Sequence, residues 1–92
     1  MNHAIRVGVV GDFNASFHSH HATNAALRHA GERLGLDVAV EWVPTPAVLQ
    51  DAETLARYGG IWLSPGSPYE SLEGALRAVE FARRRDWPFV GT

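Results

Sequence analysis

The sequence predicts an α/β fold: a doubly wound, mostly parallel sheet of four strands with three intervening helices. Three observations carry this. Strand-like apolar runs alternate with helical patterns along the whole chain. The runs are nearly continuous rather than strictly alternating, as in strands covered on both faces of a parallel sheet. Each run stops at Gly, Pro or Ser, where a loop begins. A β-α-β-α-β-α-β order of this kind implies right-handed crossovers.

The first strand is expected over Ile5–Val10, apolar apart from Arg6 and Gly8 and closed by Gly11-Asp12. A helix follows from about His20 to Leu34, with Thr23, Ala26, Leu27, Ala30 and Leu34 on one face and Gly35 placed to cap it. Val38–Val43 reads as the second strand, stopped by Pro44 and Pro46. A second helix over about Ala47–Tyr58 carries Val48, Ala52, Leu55 and Ala56, and Pro46 suits its first turn. Ile61-Trp62-Leu63 forms the third strand and runs into Ser64-Pro65-Gly66-Ser67-Pro68. From Ser71 to Arg84, Leu72, Ala75, Leu76, Val79 and Ala82 recur at helical spacing. Glu70 and Glu73 at its start and Arg83-Arg84-Arg85 at its end suit the helix dipole. Phe89-Val90 forms the fourth strand.

Composition narrows the chemistry. The 92 residues hold one small domain or part of one, with 46% hydrophobic and 20% charged residues. A net charge of −2 provides no basic field for nucleic acid or anionic membrane. With no Cys there is no disulfide, thiolate nucleophile or Cys-ligated metal within the chain. All eight basic residues are Arg, so P-loop and Schiff-base lysines are excluded too. No apolar run approaches the roughly 18 residues of a membrane span, and the N-terminus lacks a signal-peptide layout. A cytoplasmic protein without a cofactor is expected.

Ligands of such sheets bind at the carboxyl ends of the strands. This singles out Gly11–Ser19, Ser64–Glu70 and whatever follows the fourth strand. His18, His20 and His21 crowd the first of these loops with Asp12, but their spacing does not place two imidazoles on one helix face. A polar helix entry is favoured over a metal site, with His20 either contacting substrate or ordering the loop. Gly8-x-x-Gly11 lacks the third glycine of a dinucleotide fingerprint and reads as close backbone approach plus a turn. Ser64–Glu70 has two readings. Its glycine exposes backbone N–H groups to a developing negative charge, or the segment is a plain turn, capped through Ser67 and Glu70 or through Ser71. Trp42, Trp62 and Trp87 are expected in the core or an interface.

Several of these segments together resemble a known family. Ile5–Phe13, Ala26–Gly31, Val40–Val43, Gly60–Tyr69 and Gly74–Ala78 match, in order, the glutamine amidotransferase domain of CTP synthases. The similarity is greatest to stand-alone CTP-synthase-like proteins with a Gly-Asp-aromatic first loop, a histidine opening the first helix and Ser-Pro-Gly-Ser in the third-strand loop. The resemblance implies a flavodoxin-like class I amidotransferase fold, of which residues 1–92 are the N-terminal portion. In that family a Cys–His–Glu triad hydrolyses glutamine and passes ammonia to an acceptor. The resemblance gives Gly66 and Ser67 the oxyanion hole. It assigns Asp12, Phe13, His20, Pro65, Gly91 and Thr92 to substrate-pocket loops, and it places the nucleophilic cysteine just after Thr92. This chain alone is then expected to be inactive, its parent binding glutamine and no metal. The alternative is a non-catalytic half-domain that associates with itself or with a complementing subunit.

Overall fold

The computed structural model describes residues 4–64 and 69–91. Its elements are β1 (Ala4–Val10), α1 (His18–Leu34), β2 (Asp37–Val43), α2 (Thr45–Gln50), a 3-10 helix (Ala52–Arg57), β3 (Gly60–Leu63), α3 (Leu72–Arg85) and β4 (Phe89–Gly91). The strands form one sheet in the order β2-β1-β3-β4. Every pairing is parallel. The expected doubly wound α/β architecture is therefore present.

The register explains the two layers. Gly8, Glu41, Ile61 and Phe89 lie in one row, and Val10, Val43, Leu63 and Gly91 lie in another two residues on. Residues two apart share a face, so both rows point to the same side. There Val10, Val43 and Ile61 pack with Val48, Leu55, Tyr58, Ala78 and Phe81, which come from α2, the 3-10 helix and its cap, and α3. The opposite face carries Val9, Trp42, Trp62 and Val90. Over its β1–β2 half lies α1, whose Gly31 approaches Val38 and whose Asn24 accepts from the Trp42 indole at 2.8 Å.

Both long helices are rotated from the expected faces. On α1 the buried positions are His20, Thr23 and Gly31, whereas Ala26, Ala30 and Leu34 are exposed. On α3 the buried set is Gly74, Ala75, Ala78, Phe81 and Ala82, whereas Leu72 and Leu76 are 64% and 59% exposed. In each case small residues set the contact because the helix axis lies close to its neighbour. Gly31 and Gly74 leave no room for a Cβ, against Val38 and the Thr45 carbonyl respectively.

The expected second helix is two pieces. Asp51 adopts extended backbone angles (φ −157°, ψ 95°), and its carboxylate accepts from Glu53 N at 3.0 Å. That side-chain cap starts a new helix, which breaks the 3.6-residue period. As a result Leu55 is fully buried and Ala56 is exposed. Gly35, at φ 68°, caps α1 as expected, and Leu36 N donates to Gly31 O at 2.8 Å. Gly8 makes room for a side chain rather than a backbone: a Cβ there would lie 2.6 Å from the Tyr58 ring. Among the described residues, no helix is long and apolar enough to cross a membrane.

Candidate functional site

The parallel register brings all four strand ends to one edge, where Val43, Val10, Leu63 and Gly91 stand side by side. Sequence order reverses between β1 and β3, so α1 covers one face and the other helices the opposite one. That switch point is where α/β sheets leave a crevice for ligands. Two loops leave from it, one after Gly11 and one after Ser64. Gly11 N donates to Val43 O and Ser64 N to Val10 O, both at 3.0 Å.

Asp12, the first residue of the β1 loop, is a hydrogen-bond hub. Its Oδ1 accepts from Thr45 N at 2.9 Å, and its Oδ2 accepts from Thr45 Oγ1 at 2.8 Å and from Glu70 N at 2.9 Å. Thr45 Oγ1 in turn accepts from Ser71 N at 2.8 Å. Ser71 Oγ caps α3 by accepting from Gly74 N at 2.9 Å. One carboxylate thus joins the end of β1 to the first turns of α2 and α3. Ionised acceptors make the stronger hydrogen bonds, and the N-termini of helices favour negative charge.

The other flank is aromatic. Phe13, 44% exposed, lies 5.0 Å from Trp42 and 5.8 Å from His20, measured between ring centroids. His20 is only 2% exposed, and Phe17 and Trp42 lie 5.1 Å and 4.8 Å from it. Its Nδ1 accepts from Asn14 N at 3.0 Å, which fixes the proton of the neutral ring on Nε2. Asn14 Oδ1 accepts from both Ser16 N and Ser16 Oγ, and His21 bonds Ala15 O at 2.7 Å. His20 accordingly orders the loop. Among the described residues no three His, Asp or Glu side chains come together as a metal-ligand set.

Of the residues singled out from sequence, Phe13 and His20 are in contact, and Asp12 reaches the far loop through Glu70. Gly91 stands in the same row of strand ends, beyond β3. Pro65, Gly66, Ser67 and Thr92 lie outside the described residues. Both ends of the segment that holds the first three are fixed. Tyr69 OH donates to Ser64 O at 2.7 Å, and Glu70 N is held by Asp12. Ser71, not Ser67, provides the helix cap. Sequence reasoning singled out the Ser64–Glu70 loop without giving Ser64 or Tyr69 a role of its own, and it passed over Thr45. Thr45 follows a proline at a helix start and carried the only available signal.

Burial pushes the Tyr69 phenol above its ordinary value, and the Asp12 carboxylate adds to the shift. Burial acts likewise on Tyr58, with Glu41 contributing. A raised value in the folded state means that folding favours the neutral phenol. That contribution is complete below pH about 10 and is lost as pH climbs through the raised value. Stability is therefore expected to fall in alkali above pH about 10. Tyr69→Phe is expected to blunt the alkaline loss, at a cost of about 1 kcal/mol at neutral pH from the missing hydrogen bond. Denaturant titrations at neutral and alkaline pH measure both.

Ser64 is 1% exposed and lies against Gly11, where a Cβ would come 3.1 Å from the serine Cβ. Its Oγ has no hydrogen-bond partner among the described residues. A buried hydroxyl without a partner opposes folding. Ser64→Ala is expected to raise stability by up to about 1 kcal/mol. A lower urea midpoint for the variant would contradict this.

Over this frame the chain is similar to CTP synthases. It is 32% identical over 89 residues to the CTP synthase of Staphylococcus carnosus (strain TM300), an alignment covering 95% of the chain and 16% of that protein. It is 32% identical over 88 residues to that of Latilactobacillus sakei subsp. sakei (94% and 17%) and 28% identical over 89 residues to that of Campylobacter jejuni subsp. jejuni (95% and 16%). The chain spans about one sixth of the length of the curated relatives it matches. No protein-family model matches it. The chain is thus related to a segment of CTP synthase.

Proposed function

We propose that the chain forms the first part of a glutamine amidotransferase unit of the CTP synthase type, a cytoplasmic, cofactor-free unit that releases ammonia from glutamine. The observation that carries this reading is the common edge of strand ends. There Asp12, Ser64, Glu70 and the end of β4 come together, within a chain of which 95% aligns with about one sixth of a CTP synthase.

In this reaction a cysteine thiolate attacks the side-chain carboxamide carbon of glutamine. The resulting tetrahedral oxyanion accepts backbone hydrogen bonds from the Gly66–Ser67 segment. Collapse expels ammonia, with a histidine supplying the proton, and water then hydrolyses the thioester to glutamate. The present residues contribute the oxyanion side and the frame. Asp12 and Tyr69 hold Glu70 and Ser64, the two ends of the oxyanion segment, while the Phe13, His20 and Trp42 cluster orders the first loop. The cysteine is not among these 92 residues, so the chain by itself is expected to release no ammonia.

An electrophilic glutamine analogue tests the reading when the chain is carried past Thr92 through a Cys-Gly-Gly turn and the remainder of a glutaminase domain. Mass spectrometry is expected to find the label on that cysteine, with excess glutamine protecting it. Labelling that glutamine does not slow would contradict the proposal.

A further inference from the structure

We infer that the first loop holds an acid-sensitive latch: protonation of His20 frees Phe13 and Asn14 from the start of α1. The inference is independent of the proposed activity. His20 Nδ1 accepts the Asn14 N–H at 3.0 Å. An amide N–H only donates, so this contact requires the lone pair of the unprotonated nitrogen. A proton there turns the bond into two donors facing each other. His20 is 2% exposed, which leaves little water to solvate a charged ring in place.

α1, the first loop and β2 all meet the ring. On α1, His20 stands in the first turn, where the helix dipole opposes positive charge and there is no acidic residue. His18 and His21 share that turn and bring like charge when protonated. From the loop, Phe13 and Phe17 contribute rings, and Asp12 is committed to Thr45 and to Glu70 N. From β2, Trp42 lies against the imidazole, whereas Glu41 pairs with Arg6 on the other face of the sheet. Aromatic faces attract a cation, but that attraction restores no acceptor to Asn14 at the Nδ1 position.

The opening is local. Asp12 keeps its own bonds, and His21, which donates to Ala15 O at 2.7 Å, does so in either protonation state. Phe13 and Asn14 lie between these fixed points and move together, because Phe13 packs on the His20 ring. The closed loop binds the neutral ring. The latch is therefore complete above about pH 6.5, the ordinary imidazole value, and is lost on acidification below it.

Nuclear magnetic resonance of the 92-residue chain between about pH 8 and about pH 5 tests this. The expected result is a several-fold loss of amide-exchange protection at Asn14, corrected for intrinsic rates, with the same midpoint as the His20 ring nitrogens. The Thr45 and Glu70 amides, held by Asp12, keep their protection over the same range. His20→Asn, whose side-chain oxygen stands in for Nδ1 without titrating, is expected to flatten the Asn14 profile. His21→Asn is expected to leave it in place. Protection at Asn14 that persists after the His20 ring has become charged overturns the inference. So does a ring that stays neutral until the whole chain unfolds, or an Asn14 profile that a folded His20→Asn variant leaves unchanged. Where that variant does not fold, the wild-type titration alone decides between these outcomes.

Discussion

Replacing Gly74 with alanine is expected to destabilise the chain by about 3 kcal/mol, although alanine is the better helix former. In an open helix the exchange gains about 1 kcal/mol. Here the new Cβ would lie 2.8 Å from the Thr45 carbonyl carbon and closer still to its oxygen. Neither atom belongs to a flexible side chain. Thr45 is fully buried, and both its N–H and its hydroxyl are engaged by Asp12. Relief requires α3 to move away from α2, which pulls Ser71 from the Thr45 hydroxyl and opens the core between Ala78, Phe81 and Leu55. The opposing terms are unequal, and the collision wins. Urea denaturation monitored by far-ultraviolet circular dichroism measures the loss. Ala75→Gly, at a buried position without such a collision, serves as the control that isolates helix propensity.

Asp12→Ala is expected to cost about 3 kcal/mol, because it leaves three donors without their acceptor. Hydrogen bonds to a charged acceptor contribute about 1.5–3 kcal/mol each, but Thr45 Oγ1 and Glu70 N regain water when the carboxylate goes. The full sum is therefore not lost. Asp12→Asn keeps one acceptor oxygen and is expected to cost about half as much. The local consequence is more diagnostic than the global one. Amide hydrogen exchange should accelerate at Thr45 and Glu70 in both variants, while Gly11, bonded to Val43 O, keeps its protection. Unchanged exchange at Glu70 would mean that Asp12 does not hold that end of the β3 loop. In the amidotransferase reading this clamp places the oxyanion segment, so Asp12→Asn should lower the rate of glutamine hydrolysis more than it lowers glutamine affinity.

The strands were legible because β-branched runs such as Val38–Val43 have no competing period, and because Gly, Pro and Ser mark their ends. The helix limits were also readable, from Gly35 at one end and Ser71 at another. The helix faces were not. Reading a face from its largest apolar residues puts Leu72 and Leu76 inside. The structure puts Gly74, Ala75 and Ala78 there, because close approach of helix to helix favours the smallest side chains. The same rule misplaces Leu34 and Ala26 on α1. The break at Asp51 was hidden because an aspartate inside an amphipathic pattern looks like a solvated residue until its side chain caps the next turn.

At the candidate site, Asp12 stood out as the polar residue after a buried strand. Its partners Thr45 and Glu70 lie 33 and 58 residues away, and nothing local announces either contact. His20 gave a signal of a different kind. Its neighbours in sequence are other histidines, which invited a metal reading, whereas its neighbours in space are Phe13, Phe17 and Trp42.

The most direct test of the amidotransferase account is ammonia release from glutamine, followed with a coupled dehydrogenase assay. The chain is measured alone and carried past Thr92 through a Cys-Gly-Gly turn and the remainder of a glutaminase domain. The account predicts no release by the 92 residues, release by the longer form, and its loss when that cysteine is changed to alanine. Release that persists in the alanine variant, or a folded longer form that binds glutamine without hydrolysing it, would contradict the account.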